Sequence, residues 1–375
     1  MQVTPRLEAG GVEQATVDMA AAVARAGGKS LVASRGGRLE DALAKSGGRL
    51  IRLPVDSKNP LIMAGCAARL AGVIAREKVS LVHVRSRAPA FGALLAARAT
   101  GVPMLATYHG VYNAGSGLKR WYNAAMTRGD LTIANSAFTR AHVIAEHALP
   151  PARVVLAPEG IDTAAFDPAA VSSQRLAAVR RAFGLGAGRR RTVLLIAARL
   201  TEWKGQRLAV EALGRLADRG EVVLILAGTG EGSDYAASIE AAAAVAGISD
   251  AVRLVGSCQD MPAAFVAADL VVAPSTRAES FGRSVVEAGA MGRPVLASRL
   301  GGPAETVVHG VTGWLVTPGD PDAWTQAMAA ALSTDAAARA TMGAVARSRV
   351  ERLYSLPVMC EATFEIYRRV LDARR

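Results

Sequence analysis

A length of 375 residues, 51% of them hydrophobic, is enough for about two to three domains with sizeable cores, and the formal net charge is +12. No run reaches the roughly 18 consecutive apolar residues of a membrane-spanning helix, and the amino terminus lacks the pattern of a secretory signal. These features predict a soluble cytoplasmic protein. The three cysteines, Cys66, Cys258 and Cys360, are far apart in sequence, which indicates neither a disulfide framework nor a zinc site.

The positive charge is concentrated in the first half of the chain. Residues 1–185 hold 23 Lys and Arg against 12 Asp and Glu, a net of +11, whereas residues 186–375 hold 21 against 20, a net of +1. This asymmetry predicts a polyanionic partner for the first half, either nucleic acid, an anionic membrane surface or a phosphorylated substrate. The alternative is an Arg-rich surface that only keeps the protein in solution.

Short β-branched runs alternate with longer Ala-rich segments of helical period. In the first half the runs are "KSLVAS", "SLVHVRS", "PMLATYHG", "LTIANS" and "RVVLAPEG"; in the second they are "TVLLIAAR", "VVLILAG", "AVRLVG", "ADLVVAPS" and "PVLAS". Such alternation predicts parallel sheets covered by helices on both faces, and hence one doubly wound α/β domain in each half. Only "MQVTP" precedes the first glycines, so we expect either a very short first strand or a native start upstream.

The predicted boundary between the two domains lies within residues 162–192, near residue 185. This stretch contains a helical segment followed by Gly184, Gly186, Gly188 and an arginine run, and Gly-rich breaks are typical of linkers. We therefore predict domains at residues 1–185 and 186–355. The remaining residues, 356–375, predict an amphipathic helix that packs back on the first domain.

Candidate ligand contacts follow two strands of the second domain. In open α/β sheets ligands bind beyond the carboxyl ends of the strands, and two such domains facing a cleft would suit a diphosphate. "IAARLTEWKGQ" places Arg199 and Lys204 in a strand-to-helix turn, where they could neutralise a leaving diphosphate, although a solvated surface is an equal alternative. "LAGTGEG" places Gly228 at a strand end that allows close backbone approach, without the dinucleotide pattern G-x-G-x-x-G.

The stretch "AESFGRSVVEAGAMGRPV" follows another predicted strand and leads into a helix. Backbone amides would be presented to the cleft by Ser280, Phe281, Gly282 and Arg283. Glu287, about one turn into the helix, could accept hydrogen bonds from a ribose, and Glu279 in the loop could reach a second sugar. A capping residue and a surface glutamate are the alternative, which the Gly-Pro-punctuated strand that follows makes less favourable.

Other polar and aromatic residues are less informative alone. His109, at the end of "PMLATYH", is by itself more typical of a structural histidine, and His83 suits a structural role and a site equally. Trp121 and Tyr122, which follow a basic pair, predict helix packing, with an acceptor-binding or membrane-facing surface as the alternative.

The run "PSTRAESFGRSVVEAGAMGRPVLASRLGGPAETVVHGVTGWLV" resembles the signature of retaining GT-B glycosyltransferases of family 4, which include bacterial lipopolysaccharide, capsule and mannosyl transferases. The resemblance covers nearly the whole chain through "LEAGGVEQ", "TYHG", "IANSAFTR", "APEGIDTAAF" and "ARLTEWKGQ". It implies the GT-B fold, in which two Rossmann-like domains face a cleft. One departure is Glu159-Gly160, where the family often has Asn-Gly.

The resemblance also implies roles for the second-domain residues. Glu287 would hold the nucleotide ribose, and Glu279 the donor sugar, with help from the amides around Phe281 and Gly282. Arg199 and Lys204 would bind the donor diphosphate and stabilise the departing nucleoside diphosphate.

In the first domain the resemblance implies that Gly10 and Gly11 let the backbone close over the diphosphate and sugar. His109 would contact the donor hexose near its 6-position. The implied reaction moves a sugar from a nucleoside diphosphate sugar to a saccharide or phosphorylated lipid-linked acceptor with retention. A phosphate oxygen of the leaving group would take the acceptor proton, without a metal or other cofactor.

The implied setting is cell-envelope glycan synthesis, with possible peripheral contact between the basic first half and the inner face of the cytoplasmic membrane. Two alternatives stay open. One is a nucleotide-sugar epimerase of the same architecture. The other is a non-catalytic binder of sugar nucleotides or nucleic acid, although no helix-turn-helix, zinc or aromatic stacking motif accompanies the charge.

Overall fold

The computed structural model describes residues 1–8, 10–112, 115–186, 191–218 and 220–374. The chain forms two compact units: the first contains Met1–Gly160 and Leu356–Arg375, and the second contains Ile161–Ser355. Gly188 and the two arginines after it, which belong to the predicted linker, lie outside the described residues.

A parallel sheet forms the centre of the first unit. Its strands are β1 (Gln2–Val3), β2 (Leu31–Ser34), β3 (Arg49–Arg52), β4 (Val82–Val84), β5 (Met104–Tyr108), β6 (Leu131–Ala134) and β7 (Val154–Leu156). Within the described residues they are ordered β3-β2-β1-β4-β5-β6-β7. The intervening helices are α1 (Gly11–Arg25), α2 (Glu40–Lys45), α3 (Pro60–Arg76), α4 (Arg87–Thr100), α5 (Gly117–Asn123) and α6 (Ala137–His147).

The second unit repeats this plan. Its helices are α7 (Ser173–Ala182), α8 (Gln206–Gly214), α9 (Asp234–Val245), α10 (Met261–Ala267), α11 (Arg283–Ala290), α12 (Pro303–Thr306), α13 (Pro321–Ser333) and α14 (Ala336–Leu353). The strands are β8 (Thr192–Ala197), β9 (Val222–Ala227), β10 (Val252–Gly256), β11 (Leu270–Ala273), β12 (Val295–Ser298) and β13 (Gly313–Val316). In the described part of the chain they are ordered β10-β9-β8-β11-β12-β13.

The predicted fold class, two doubly wound parallel α/β domains, is confirmed. The apolar runs become strands because parallel strands covered on both faces bury every side chain, as in β9, where all six residues are buried. Strand β1 has only two residues, yet it pairs with both β2 and β4. Two edge strands, β3 and β13, were not predicted; they are short and bury fewer side chains than the central strands.

The domain boundary predicted near residue 185 is wrong, because the structure divides the chain after Gly160. Val179 and Phe183 of the supposed linker are buried in the core of the second unit, together with Phe265. Arg175 also donates two hydrogen bonds of 2.7 Å to the Asp260 carboxylate. The apolar face of helix α7 packs in the core of the second unit, so the helix belongs to that unit. The glycines that follow the helix do not mark a domain boundary.

The last helix, α15 (Leu356–Asp372), belongs to the first unit. Its residues Ile366 and Val370 are buried against Leu131 and Ile133 of β6. No helix in the described ranges is both long and apolar enough to cross a membrane.

Candidate active site

The predicted contacts of the second unit gather at one edge of its sheet. Strand β8 lies beside β9 on one side and β11 on the other, so the strand order changes direction between β8 and β11. Arg199 and Lys204 follow β8, Gly228 follows β9, and Glu279 follows β11. The carboxyl edge at such a switch point is where doubly wound sheets bind ligands.

Lys204 and Glu279 form the centre of this site. The Lys204 Nζ lies 2.8 Å from Glu279 Oε1, and their side chains are 15% and 12% exposed. The Ser275 hydroxyl donates a 2.5 Å hydrogen bond to the same carboxylate oxygen. Lys204 Nζ also lies 4.5 Å from the centre of the Trp203 ring, a cation–π distance. Ser275 and Trp203 were not predicted, because neither forms a recognisable pattern with the charged pair.

Two glycines allow the loops of this edge to approach one another. Gly205 has a φ of +73°, and a Cβ there would lie 2.0 Å from the carbonyl oxygen of Pro274, just beyond β11. A Cβ at Gly228 would lie 1.9 Å from the carbonyl oxygen of Ala198, just beyond β8. Gly205 directly precedes α8 and caps its amino terminus.

The loop after β12 stabilises the turn from Glu279 to Gly282 by a backbone hydrogen bond. Gly302 N donates a 2.8 Å hydrogen bond to the Glu279 carbonyl. Gly282 has a φ of +83° and caps the amino terminus of α11, where a glycine cap supplies no side-chain acceptor to the first amides. The Phe281 ring is buried and packs edge-on against Tyr354, with ring centres 5.6 Å apart. Only the backbone of Phe281 is therefore left to serve the site.

Glu287 lies in the second turn of α11 and pairs with a neighbour on the same helix. Arg283 Nε donates a 2.7 Å hydrogen bond to Glu287 Oε1, and the Glu287 side chain is 13% exposed. One carboxylate and one guanidinium therefore lie on the helix that directly follows the turn of Glu279. Ser280, the remaining predicted residue of the turn, is half-buried.

Arg199 is exposed at the strand end, and its backbone is fixed by a residue that the sequence did not indicate. The buried side chain of Gln206 donates a 2.9 Å hydrogen bond to the Arg199 carbonyl. Its amide oxygen accepts a 3.3 Å hydrogen bond from the Tyr235 hydroxyl. Gln206 thus orders the basic turn while the Arg199 side chain faces solvent.

The other predicted residues, Gly10, Gly11 and His109, lie in the first unit. Gly10 caps α1 and Gly11 is its first residue. The Gly10 backbone is extended, and a Cβ there would meet only the flexible carboxylate end of Glu13. Packing inside the protein therefore does not require glycine at position 10.

His109 directly follows β5, and its side chain is buried. Its Nδ1 lies 3.7 Å from Glu159 Oε2, with both side chains less than 10% exposed. Asn135, which follows β6, donates a 3.4 Å hydrogen bond to the same Glu159 oxygen. Glu159, the departure from the family pattern, is therefore part of a buried polar cluster with His109.

His83 has a structural position. One of its ring nitrogens lies 2.7 Å from the Thr107 hydroxyl and the other lies 2.7 Å from the Tyr367 hydroxyl. Burial, followed by the charge of Arg85, lowers the pKa of His83 well below its ordinary value, which keeps the ring neutral at pH 7. Among the described residues no group of three or more His, Cys, Asp or Glu side chains could hold a metal ion.

Two family models match the chain. The model described as Glycosyltransferase Family 4 matches residues 9–165, and the model described as Glycosyl transferases group 1 matches residues 191–334. The chain is 32% identical over 231 residues to a D-inositol 3-phosphate glycosyltransferase of Salinispora arenicola, an alignment that covers 59% of this chain and 51% of that protein. This chain spans about half the length of the curated relatives it matches.

Solved structures of the same fold cover nearly the whole chain. A glycosyltransferase from Rickettsia africae superposes with a TM-score of 0.88 at 29% identity, over 99% of this chain and 98% of that one. HepE from Anabaena, solved in complex with UDP and glucose, gives a TM-score of 0.82 at 22% identity over 98% of each chain. The second likeness concerns the fold alone.

Proposed function

We propose a function for this chain from the family to which it belongs: it is a family 4 glycosyltransferase with the GT-B fold. In this proposal it transfers a sugar from a nucleoside diphosphate sugar to a saccharide or lipid-linked acceptor and retains the anomeric configuration. The observation that carries the proposal is the Lys204–Glu279 pair, 2.8 Å apart at the switch point of the second sheet.

The diphosphate of the donor takes the cationic part of this site. Arg199 is exposed and so accessible to a phosphate, and Lys204 lies in the same turn after β8. The glycine-capped amino terminus of α11 adds backbone amides and the positive end of a helix dipole. These groups stabilise the negative charge that develops on the departing nucleoside diphosphate.

The two glutamates take the hydroxyl groups of the donor. Ionised carboxylates accept hydrogen bonds, as vicinal hydroxyls require. Glu279 is held between Lys204 and Ser275, which aims it for the transferred sugar, whereas Glu287 on α11 is assigned to the nucleotide ribose. Gly228 lets the backbone after β9 approach the nucleotide.

Residues of the first unit complete the proposed donor contacts. Gly10 and Gly11 open α1, and the absence of an internal packing reason for Gly10 supports close approach of a ligand. His109 contacts the donor hexose, and the Glu159 carboxylate lies 3.7 Å from its Nδ1.

Retention follows from attack on the face that the leaving group occupies. The bond between the anomeric carbon and the diphosphate oxygen breaks with its electron pair leaving on that oxygen. The acceptor oxygen forms its bond to the same face of the anomeric carbon and gives its proton to a phosphate oxygen. The scheme needs only the donor and the acceptor. The acceptor belongs to cell-envelope glycan synthesis, on the cytoplasmic side of the membrane.

Thermal unfolding with a panel of UDP-, GDP- and ADP-sugars tests the donor site. A donor at about 100 times its Kd stabilises the chain by roughly 2.7 kcal/mol. Glu287→Ala should abolish the shift. Glu211→Ala is the matched control, since it breaks an equivalent i,i+4 pair with Arg207 at 2.8 Å and should keep the shift. Equal loss in both variants would contradict the assignment of Glu287.

Nuclear magnetic resonance of the product tests the chemistry. We expect a glycoside with the anomeric configuration of the donor. An inverted product would contradict retention, and an epimerised donor without transfer would favour the epimerase alternative.

A further inference from the structure

A groove of about 700 Å³ lies on the first unit between α3, α4 and α5, which is within the usual size range of small-molecule sites. Its lining is mainly apolar and aromatic, with contributions from Met63, Phe91, Leu95, Leu118, Trp121 and Tyr122. None of these residues was assigned a role in donor binding.

The apolar side chains of the groove are unusually open to solvent. Leu118 is 76% exposed, Trp121 is 48% exposed and Leu95 is 44% exposed. The Phe91 and Trp121 rings pack with their centres 5.0 Å apart, so the groove wall is ordered. A contiguous apolar patch of this kind on a protein surface marks a binding site.

The chain segment that carries the three helices of the groove is rich in cations and poor in carboxylates. Residues 57–129 hold ten Lys and Arg against one acidic residue, Glu77, a net of +9. Lys58, Arg87 and Lys119 line the groove itself, and in the described part of the chain none of these three forms an ion pair. Arg87 is positioned by a 3.1 Å hydrogen bond to the Asn123 side chain. The occupant that complements this surface is apolar along its length and anionic at one end.

The groove lies at the edge of the sheet where His109 also lies. Helix α4 begins with Arg87 just after β4, and α5 follows β5. The Arg87 guanidinium lies 5.0 Å from the centre of the Tyr112 ring, and that ring lies 5.2 Å from the ring of Tyr108, the residue before His109. A ligand with its charged end against Arg87 would therefore lie at the sheet edge of the first unit that also carries His109.

We propose that this groove binds the hydrocarbon chain of a lipid phosphate, with the phosphate against Lys58, Arg87 and Lys119. The inference rests on the proposed function in one respect, since it identifies the lipid as part of the acceptor. The binding itself does not depend on sugar transfer, and the two can be tested separately.

Titration of tryptophan fluorescence with monomeric octyl, decyl and dodecyl phosphate tests the groove. Complete burial of one methylene strengthens binding about fourfold. Because burial in an open groove is incomplete, we expect the affinity to rise by at least about twofold for each added methylene. Trp121→Phe should remove the fluorescence change. Dodecyl maltoside, which has the same chain and a neutral head, should bind about tenfold more weakly or worse, because it lacks the charge-assisted contacts of the phosphate.

Variants at exposed positions separate the groove from unspecific effects. Leu118→Asp should weaken dodecyl phosphate binding about tenfold or more, because it places a carboxylate on the apolar wall. Val245→Asp is the matched control at a position that is 91% exposed on α9. Lys119→Glu should weaken binding as well, whereas Lys45→Glu on the exposed face of α2 should not.

Several results would overturn the inference. They are equal binding of dodecyl maltoside, affinity independent of chain length, and binding of inorganic phosphate as tight as that of dodecyl phosphate. Binding only to phosphatidylglycerol vesicles would make this face a bilayer contact, and a dimer that Leu118→Asp dissociates in sedimentation would make it a contact between copies. Sugar transfer without dodecyl phosphate binding would contradict lipid binding in the groove and leave the proposed function intact. Dodecyl phosphate binding without transfer would support the groove and contradict the proposed function.

Discussion

Lys204 and Glu279 come from the ends of two different strands and meet at 2.8 Å with little exposure of either side chain. The ion pair helps to keep a largely buried lysine charged in the turn after β8, since each charge partly offsets the desolvation of the other. Ser275 fixes the carboxylate from the other side. A donor diphosphate would compete with Glu279 for the same ammonium group.

Replacement of Lys204 tests this arrangement at the residue scale. Lys204→Met should lower kcat about 100-fold, the usual loss when one group that stabilises a leaving anion is removed. Lys204→Arg should lose less, because it keeps the charge but not the compact geometry. Steady-state kinetics should show no change in Arg207→Met, which removes an exposed cation of α8. Equal losses in Met and Arg variants would argue against a role for the charge.

The residue types at the site could be predicted, but their partners could not. Arg199, Lys204, Glu279 and Glu287 stand in turns and helix starts that the sequence marks. Gln206, which holds the Arg199 backbone, looks in sequence like any polar helix residue. A side-chain partner from another loop leaves no periodic signal.

At the scale of elements, the glycines decide how close the loops come. Gly205 brings the start of α8 against the backbone just beyond β11, and Gly228 brings the end of β9 against the backbone just beyond β8. The backbone of Gly205 also adopts the left-handed conformation that other residues avoid. These positions are therefore constrained by conformation and by space together.

Gly205→Ala should destabilise the second unit more than a change in conformation alone would. Gly247 has a similar φ, +64°, and a Cβ added there would have nothing within 4 Å, so Gly247→Ala should cost about 1–2 kcal/mol. Gly205→Ala should cost clearly more, since its Cβ would lie 2.0 Å from the Pro274 carbonyl. Urea unfolding of both variants gives the comparison. A similar cost in the two would show that the loop moves aside freely.

Helix α15 is joined to the sheet of the first unit by a buried neutral histidine. Because burial lowers the pKa of His83, protons bind the unfolded chain better than the folded one below about pH 6.5. The stability that the neutral ring provides is present above that pH and is lost as the pH falls. The loss approaches about 1.4 kcal/mol per pH unit between about pH 6.5 and the lowered pKa.

His83→Gln should reduce this pH dependence in urea unfolding between about pH 6.5 and 5. Part of the slope should remain, since burial also lowers the pKa of His147. Tyr367→Phe removes a hydrogen bond to His83 but leaves the ring buried, so it should lower stability and keep the slope. An unchanged slope in His83→Gln would rule out this residue as its source.

At the scale of the whole molecule, the chain leaves the first unit at Gly160 and returns to it at Leu356. The returning helix covers apolar side chains of β6 that would otherwise face water. The first unit is therefore completed by residues from the end of the chain, whereas the second unit, Ile161–Ser355, is continuous.

Ile366→Ala should destabilise the first unit selectively, by about 2–5 kcal/mol, the usual cost of a large-to-small change in a core. Val358 lies on the same helix but is 37% exposed, so Val358→Ala should change stability by less than about 0.5 kcal/mol. Hydrogen exchange should rise in residues 1–160 and stay unchanged in residues 161–355. Faster exchange throughout would contradict the division into two separately stabilised units.

The alternation of apolar strands and Ala-rich helices was enough to predict two doubly wound parallel sheets, because burial on both faces imposes a pattern that each segment carries by itself. The basic first half and the turn residues of the second were likewise visible in the sequence. Strand order, however, is a property of the folded chain. It alone sets β8 beside β11 and so Lys204 beside Glu279. The packing of helices likewise assigns residues 161–185 to the second unit and assembles the groove from three separate helices. These contacts join distant segments, and their energy depends on shapes that form only when the sheets do.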